Sequence, residues 1–181
     1  MKDMGNSEIY RRAREAVHAG QDRRQVFDSL KDQIRKPVKL AVTIANIPTP
    51  ELRQKYRVLN TILFALLILA ALSKLLSVLA MFQNFGVLPA LGVALIGLIV
   101  PVACAVEVYR FSGQIYLLIP IFCLLGVTQI LRRYDGDLVG AVIDGVFLLL
   151  IAALSLVIKF KVFPNIGIGG VKKDPQGQYL F

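Results

Sequence analysis

The sequence predicts an all-α, polytopic membrane protein with four transmembrane helices and a small cytosolic helical segment at its N-terminus. The first observation is the block from Leu59 to Lys159, which is apolar almost throughout, as a bilayer requires and a soluble domain does not. The second is that its long apolar runs show neither the alternation of strands nor the polar stripe of soluble helices. The third is a hydrophobic fraction of 56% with a mean hydropathy of +0.63, which is typical of membrane proteins. The alternative, two long helical hairpins buried in a soluble core, would still need a polar stripe.

Charges and turn residues divide this block into four predicted spans, over about residues 59–82, 87–106, 115–131 and 138–158. Each span is close to the ~20 residues that cross a hydrocarbon core ~30 Å thick, and the third is the shortest. The predicted connections are a turn at 83–86, a polar bend at 107–114 and a loop at 132–137. The membrane domain is expected to cover 50–159, between a basic segment at 1–49 and a tail at 160–181.

Basic residues set the predicted orientation. Residues 1–58 hold 13 Lys and Arg against 7 Asp and Glu, in a chain of net charge +9. With the N-terminus inside, nine Lys and Arg near the membrane ends are cytosolic, and Arg132 and Arg133 lie on the far side. This asymmetry predicts that both termini are cytosolic, in a plasma membrane or a bacterial inner membrane. Because the N-terminus is polar rather than signal-peptide-like, the first span is expected to act as the insertion signal.

The segment 1–49 is predicted to contain two amphipathic helices and a short third one. Residues 6–19 repeat apolar side chains at helical spacing and end at Gly20. A second helix starts at Asp22, with Gln25 in the capping-box position, and its predicted apolar face is Val26, Phe27, Leu30 and Ile34. The third, over 37–47, is expected to place Val38, Ala41, Val42 and Ala45 on one side. Two helices joined across a glycine also fit a helix-turn-helix that binds nucleic acid, but the third helix of such a core is not evident.

A helix is predicted to lead from this segment into the membrane. Thr49 suits the N-cap and Pro50 the first helical position, so one continuous helix is expected from Pro50 to Phe82. The cytosolic part of this helix carries a basic and aromatic collar that is predicted to contact the bilayer and its anionic lipid headgroups. The collar residues are Arg53, Lys55, Tyr56 and Arg57.

Two charges and two prolines lie inside the predicted spans. Lys74 and Asp144 have similar depths in the first and fourth spans, and we expect them to form an ion pair, because a lone charge in a membrane is costly. Lys74 could instead reach the outer interface, and either charge could line an ion or proton path. Pro101 and Pro120 are expected to kink the second and third spans. Each proline frees the carbonyl four residues earlier, which for Pro120 is that of Tyr116.

The tail is predicted to form a small hairpin around the turn Asp174-Pro175-Gln176-Gly177. Residues 171–173 and 178–180 would form its arms. Such a hairpin is marginal alone, and Tyr179-Leu180-Phe181 is apolar. This end is therefore expected to pack on the N-terminal helices or on a partner chain.

The sequence offers no motif that predicts catalysis, a metal site or a cofactor. Zinc-protease, serine-hydrolase and phosphate-loop patterns are missing, Cys104 and Cys123 resemble small apolar residues within spans, and His18 is isolated. The expected function is a non-enzymatic scaffold or accessory subunit, without a cofactor, whose N-terminal segment recruits an unknown protein partner or a second copy. The alternatives are an oligomeric channel or small transporter, and a membrane-tethered regulator that binds nucleic acid.

Overall fold

The computed structural model describes residues 6–34, 36–85, 87–132, 136–167 and 169–181. Within these ranges it describes every side chain except those of residues 6, 7 and 77–96. Statements about the fold and its contacts refer to this part of the chain.

The described residues form eight α-helices, a short 3-10 turn at Lys31–Gln33 and two very short strands. The helices are α1 (Asn6–His18), α2 (Arg23–Leu30), α3 (Pro37–Ala45), α4 (Pro50–Lys55), α5 (Arg57–Phe85), α6 (Val87–Tyr109), α7 (Ile115–Arg132) and α8 (Leu138–Val162). The strands, β1 (Ile166–Gly167) and β2 (Gly170–Val171), pair antiparallel. The predicted helical architecture is confirmed, and the small ladder is an addition that the sequence does not predict.

Three helices within the described residues are long and apolar enough to cross a membrane. They are Arg57–Leu76 within α5, Ile115–Arg132 and Leu138–Val162. The α6 helix has 23 residues, with side chains described from Gly97 onwards. A membrane location is thus compatible with three crossing helices, and the fourth crossing, by α6, stays a prediction.

Two helices end at residues other than those expected, and the local sequence explains both ends. The expected turn at 83–86 is wrong for its first three residues, because α5 continues through Phe85 with neither Gly nor Pro before Gly86. The α8 helix ends at Val162 rather than near 158, and Lys159 and Lys161 suit its last turn because cations stabilise helix C-termini.

The continuous helix expected from Pro50 is interrupted at Tyr56, whose φ of −101° and ψ of 10° leave the helical region. The amide of Tyr56 still bonds the carbonyl of Leu52, and the amide of Asn60 bonds the carbonyl of Tyr56, each at 3.0 Å. The interruption is therefore local, and the Tyr56 ring packs against the core of the following helices. Thr49 has the extended backbone of an N-cap, but its side chain makes no capping hydrogen bond.

The helices α1, α2 and α3 form a small body that we call the N-terminal unit. Its buried core is Ile9, Ala13, Val17, Val26, Leu30, Leu40, Ile44 and Ile47. Asp22 caps α2 as predicted, since its carboxylate accepts from the amides of Arg24 and Gln25. On α3, Ala41 and Ala45 of the expected side are buried together with Leu40 and Ile44, whereas Val38 of that side is 54% exposed. Because α3 is apolar on most of its circumference, spacing alone fits more than one face.

The tail folds back onto the N-terminal unit. Lys173 pairs with Tyr179 as an antiparallel bridge around the predicted turn, and the amide of Leu180 donates to the carbonyl of Lys172 at 2.9 Å. The Phe27 ring lies 5.3 Å from that of Tyr179 and 5.4 Å from that of Phe181. One bridge therefore flanks the turn, and the end of the tail packs on the N-terminal helices through Phe27.

The helices α5 to α8 form what we call the helix bundle. The α5 helix packs against α6 and α8, and α7 packs against α8 and α6. Among the side chains that the structure describes, which leave out 77–96, buried positions lie in the first halves of α5 and α7 and the last parts of α6 and α8, at the end of the bundle nearest the N-terminal unit. The outward surface of the helix bundle is apolar, and a soluble protein rarely exposes so much apolar area. Exposed residues include Leu69, Leu72, Ile99, Leu124, Leu125, Val142, Ile143 and Leu149.

Candidate functional site

A buried chain of hydrogen bonds joins all four helices of the bundle. The amide nitrogen of Asn60 in α5 donates to the carbonyl of Val108 in α6 at 2.9 Å. The phenol of Tyr116 in α7 donates to the amide oxygen of Asn60 at 2.6 Å. The hydroxyl of Ser155 in α8 donates to the carbonyl of Tyr116 at 3.0 Å. These four residues are 5% exposed or less. We call them the polar network.

Pro120 leaves a backbone carbonyl without its helical partner, and Ser155 supplies the replacement hydrogen bond. A proline at position i has no amide hydrogen, so the carbonyl at i−4 loses its helical partner. That carbonyl belongs to Tyr116, and it accepts from the Ser155 hydroxyl instead. The sequence identifies the freed carbonyl, but Ser155 as its donor, and Asn60 as the acceptor of the Tyr116 hydroxyl, emerge only from the packing. Both Pro101 and Pro120 lie inside helices, as predicted, and the kinks stay a prediction.

The ring of Tyr116 also anchors the network to the start of the tail. It stacks on Phe163 with a centroid distance of 5.7 Å and an interplanar angle of 20°. Phe163 follows α8 directly and is 1% exposed. The same tyrosine thus touches α5 through its hydroxyl, α8 through its carbonyl and the tail through its ring.

Lys74 and Asp144 lie on the continuation of two buried stripes. In α5, the buried positions Asn60, Leu63, Leu67 and Ala71 lead at helical spacing to Lys74, and in α8 Asp144 lies seven residues before buried Ile151. Both charged side chains are exposed, and no ion pair joins them in the part of the chain that the structure describes. The predicted pair remains untested, because the bundle's neighbouring side chains at 77–96 lie outside the described set.

The collar residues lie where the N-terminal unit meets the bundle. The guanidinium of Arg53 lies 5.8 Å from the ring centre of Phe111, and the Lys55 ammonium lies 5.9 Å from that of Tyr56. Arg57 is exposed at the start of α5. Phe111 is 4% exposed and has a positive φ of 58°, so its ring is held at the corner after α6. Binding of lipid headgroups by these residues stays a prediction.

Two basic side chains of the N-terminal unit have lowered pKa values. Arg23 donates to the carbonyl of Ile47 at 2.6 Å, and burial lowers the pKa of this guanidinium, although Asp22 opposes the change. The pKa of His18 lies below its ordinary value, first because of burial and then because Arg53 and Arg14 are near. His18 is therefore near two other cationic groups.

Reactive or metal-binding arrangements do not emerge from the described residues. Within them, no group of three or more His, Cys, Asp and Glu could hold a metal ion. Cys104 and Cys123 are free thiols buried in the bundle core, as the sequence predicts for apolar-embedded cysteines.

Comparisons with known proteins return no relative. No family model, no curated protein and no solved structure matches the chain. The functional argument therefore depends on the residues and contacts described above.

Proposed function

We propose that this chain is a non-enzymatic integral membrane protein, a scaffold or accessory subunit that recruits a protein partner through its N-terminal unit. The observation that carries the proposal is the packing of that unit between the tail and the bundle. Phe181 contacts the cores of both the N-terminal unit and the bundle. A folded, anchored platform at the end of a membrane bundle is the arrangement that a recruiting subunit needs.

The contact between the two ends of the chain supports four crossings. The tail packs on α2 through Phe27, and β2 packs on α3, so the chain leaves and re-enters the N-terminal unit on one side of the bundle. An even number of crossings brings a chain back to its starting side. With three candidate spans, α6 is the missing fourth, and its 23 residues give ~34 Å of helix at 1.5 Å per residue. The positive-inside rule assigns this side to the cytosol.

The charges of the N-terminal unit favour a protein partner over nucleic acid. Arg12 pairs with Glu8 at 3.0 Å, Arg11 lies 3.8 Å from Glu15, and Lys31 pairs with Asp28 at 2.7 Å, each between residues three or four apart in the chain. A nucleic-acid footprint depends on a stripe of cations that face phosphates. Arg23, at the start of the would-be recognition helix, is instead turned toward Ile47. The surface of mixed charge is suited to polar contacts at a protein interface.

A photo-crosslinking amino acid tests this proposal in native membranes. It is placed in the full chain at exposed Gln25 in α2, and at lipid-facing Leu124 in α7 as the matched control. The expected result is a discrete protein adduct from Gln25 that is missing from Leu124. Lipid adducts alone from both positions, or the same protein adducts from both, would reject recruitment through the N-terminal unit.

A channel or transporter is the second candidate, and the positions of Lys74 and Asp144 favour it. Both lie on the inward-directed stripes of α5 and α8 beyond the buried core, and both are exposed. Ion flux in liposomes that disappears with Asp144→Asn, while the protein stays folded, would favour this function. The absence of flux with the unmodified protein would count against it.

A further inference from the structure

Two opposite charges lie on the outside of the apolar helices. Lys74 is within the candidate span of α5, and Asp144 is within that of α8. Both side chains are exposed, and neither takes part in an ion pair in the part of the chain that the structure describes. A charge that faces lipid is costly, so charges inside membranes are usually paired. A group outside this surface therefore has to supply each partner.

The apolar sequence limits which groups can pair with these charges. Lys74 is the one Lys, Arg, Asp or Glu in 58–106, Asp144 is the one in 138–158, and 111–131 contains none. Inside the apolar stretches, the opposite charge available to Lys74 is therefore that of Asp144, and the reverse holds for Asp144.

The two charges have similar depths in the helix bundle. Measured from the polar network at 1.5 Å per residue, Lys74 lies ~21 Å beyond Asn60, and Asp144 lies ~17 Å beyond Ser155. Both distances run toward the end of the bundle that is remote from the N-terminal unit. The difference is smaller than one helical turn of about 5.4 Å. Two copies inserted in the same orientation would thus present Lys74 of one copy near the level of Asp144 of the other.

Full burial ends before either charge is reached. Along the stripe of α5 the last buried residue before Lys74 is Ala71, and along α8 the buried residue closest to Asp144 is Ile151. The side chains beside the two charges are apolar and exposed, and they include Leu72, Leu76, Val142, Ile143 and Val146. The charges therefore lie on an apolar surface that the described part of the chain leaves uncovered.

We propose that a second copy of the chain covers this surface, and that Lys74 of each copy pairs with Asp144 of the other across a two-fold axis. A two-fold interface needs a patch that is complementary to itself. One cation and one anion per chain at one depth meet this need and leave no charge unpaired. This dimer requires that α5 and α8 are inserted in a membrane, and it does not require recruitment through the N-terminal unit.

Self-association of the full chain in phosphatidylcholine vesicles tests the dimer. One population carries a donor fluorophore at its N-terminus and another an acceptor, and energy transfer is followed as the protein is diluted with lipid. The unmodified chain is expected to associate. Lys74→Asp and Asp144→Lys are each expected to weaken association about tenfold or more, because like charges then meet at both contacts. The matched control is Lys161→Met, which removes an exposed cation from the end of α8 and is expected to leave association unchanged.

Mixing the two charge-reversal variants separates pairing between copies from pairing within one chain. A copy with Lys74→Asp presents two carboxylates, and a copy with Asp144→Lys presents two ammonium groups. The mixed dimer therefore regains opposite charges at both contacts, and energy transfer between the two variants is expected to return close to that of the unmodified chain. An ion pair within one chain cannot be restored in this way.

Neutral variants keep the test valid if a charge reversal prevents folding, which circular dichroism reports. Lys74→Met and Asp144→Asn are each expected to weaken association. Mixed together they regain one of the two ion pairs, so they should associate more tightly than either variant does alone.

The dimer is overturned if the unmodified chain stays monomeric throughout the dilution series, or if mixing restores association for neither pair of variants. It is also overturned if Lys161→Met weakens association as much as Lys74→Met does. Each of these outcomes leaves the crosslinking result at Gln25 unaffected, so this dimer and partner recruitment can fail separately.

Discussion

The phenol of Tyr116 donates a 2.6 Å hydrogen bond to the amide oxygen of Asn60, and neither side chain is more than 5% exposed. The bond closes a polar network that reaches α6 through Val108 and α8 through Ser155. Because these groups are buried away from solvent, each donor and acceptor needs a protein partner. The polar network therefore fixes how the α5–α6 pair meets the α7–α8 pair.

Removing one hydroxyl tests the network most directly. Tyr116→Phe keeps the ring that stacks on Phe163 but leaves the Asn60 oxygen buried without its donor. We expect the free energy of unfolding to fall by about 1–3 kcal/mol, the cost of such a buried group. Denaturation by SDS in mixed micelles measures it. The control is Tyr109→Phe, whose residue is 72% exposed and whose ring contact with Phe64 is retained. Equal losses for the two variants would contradict a special role for Tyr116.

The link between Pro120 and Ser155 predicts a coupling between two substitutions. Ser155→Ala leaves the carbonyl of Tyr116 without its donor, at a cost of about 1–2 kcal/mol in the free energy of unfolding. Pro120→Ala restores a backbone amide that can bond this carbonyl within α7. In the Pro120→Ala background, Ser155→Ala is therefore expected to cost less by about 1 kcal/mol. A double-mutant cycle in mixed micelles measures the difference, and strict additivity would show that the two residues act independently.

The sequence indicates the helices well and their mutual contacts poorly. The sequence correctly locates features that depend on local residues. These are the helices in the long apolar runs, the N-cap at Asp22 and the helix start at Pro50. Asn60 could not be selected in advance, because its importance depends on Tyr116, 56 residues away, lying opposite it. The burial of Leu40 and Ile44 in α3 could not be selected for a related reason, since a helix that is apolar on most sides carries no directional signal.

Exchanging the charges of Lys74 and Asp144 tests their predicted pairing. Lys74→Asp or Asp144→Lys alone would leave two like charges within the membrane, so each is expected to lower the free energy of unfolding or the yield of folded protein. If the residues pair, the double exchange recovers most of the loss. Denaturation in mixed micelles and size-exclusion chromatography measure the recovery. A double variant that is no better folded than either single variant shows that there is no pair.

A methyl group at Gly113 is expected to disturb the contact between the bundle and the tail. A Cβ there would lie 2.7 Å from Cδ1 of Ile166 and 2.8 Å from both Oδ1 of Asn46 and Cδ1 of Phe163. Real Cβ atoms do not approach so closely, so Gly113→Ala should cost about 1–3 kcal/mol of unfolding free energy through overpacking. Limited proteolysis of the tail reports its release.

The matched control for that change is Gly145→Ala in α8, where a Cβ meets nothing within 4 Å. This variant is expected to be neutral, or more stable by up to about 1 kcal/mol, because alanine favours helix over glycine. If both alanine variants resist proteolysis like the unmodified chain, the close packing at Gly113 does not limit the stability of the tail.

The stability of the N-terminal unit is expected to decrease in mild acid because of His18. Its pKa in the folded chain lies below the ordinary value of 6.5, owing first to burial and then to Arg53 and Arg14. The folded state therefore binds fewer protons than the unfolded state, and stability falls as the pH drops from about 6.5 through the lowered pKa. Above this window His18 contributes no pH dependence. Hydrogen exchange of α1 amides in zwitterionic detergent, corrected for its intrinsic pH dependence, should show less protection at pH 5.5 than at pH 7.5. His18→Gln should flatten this difference, and an equal loss of protection in that variant would assign the effect to other groups.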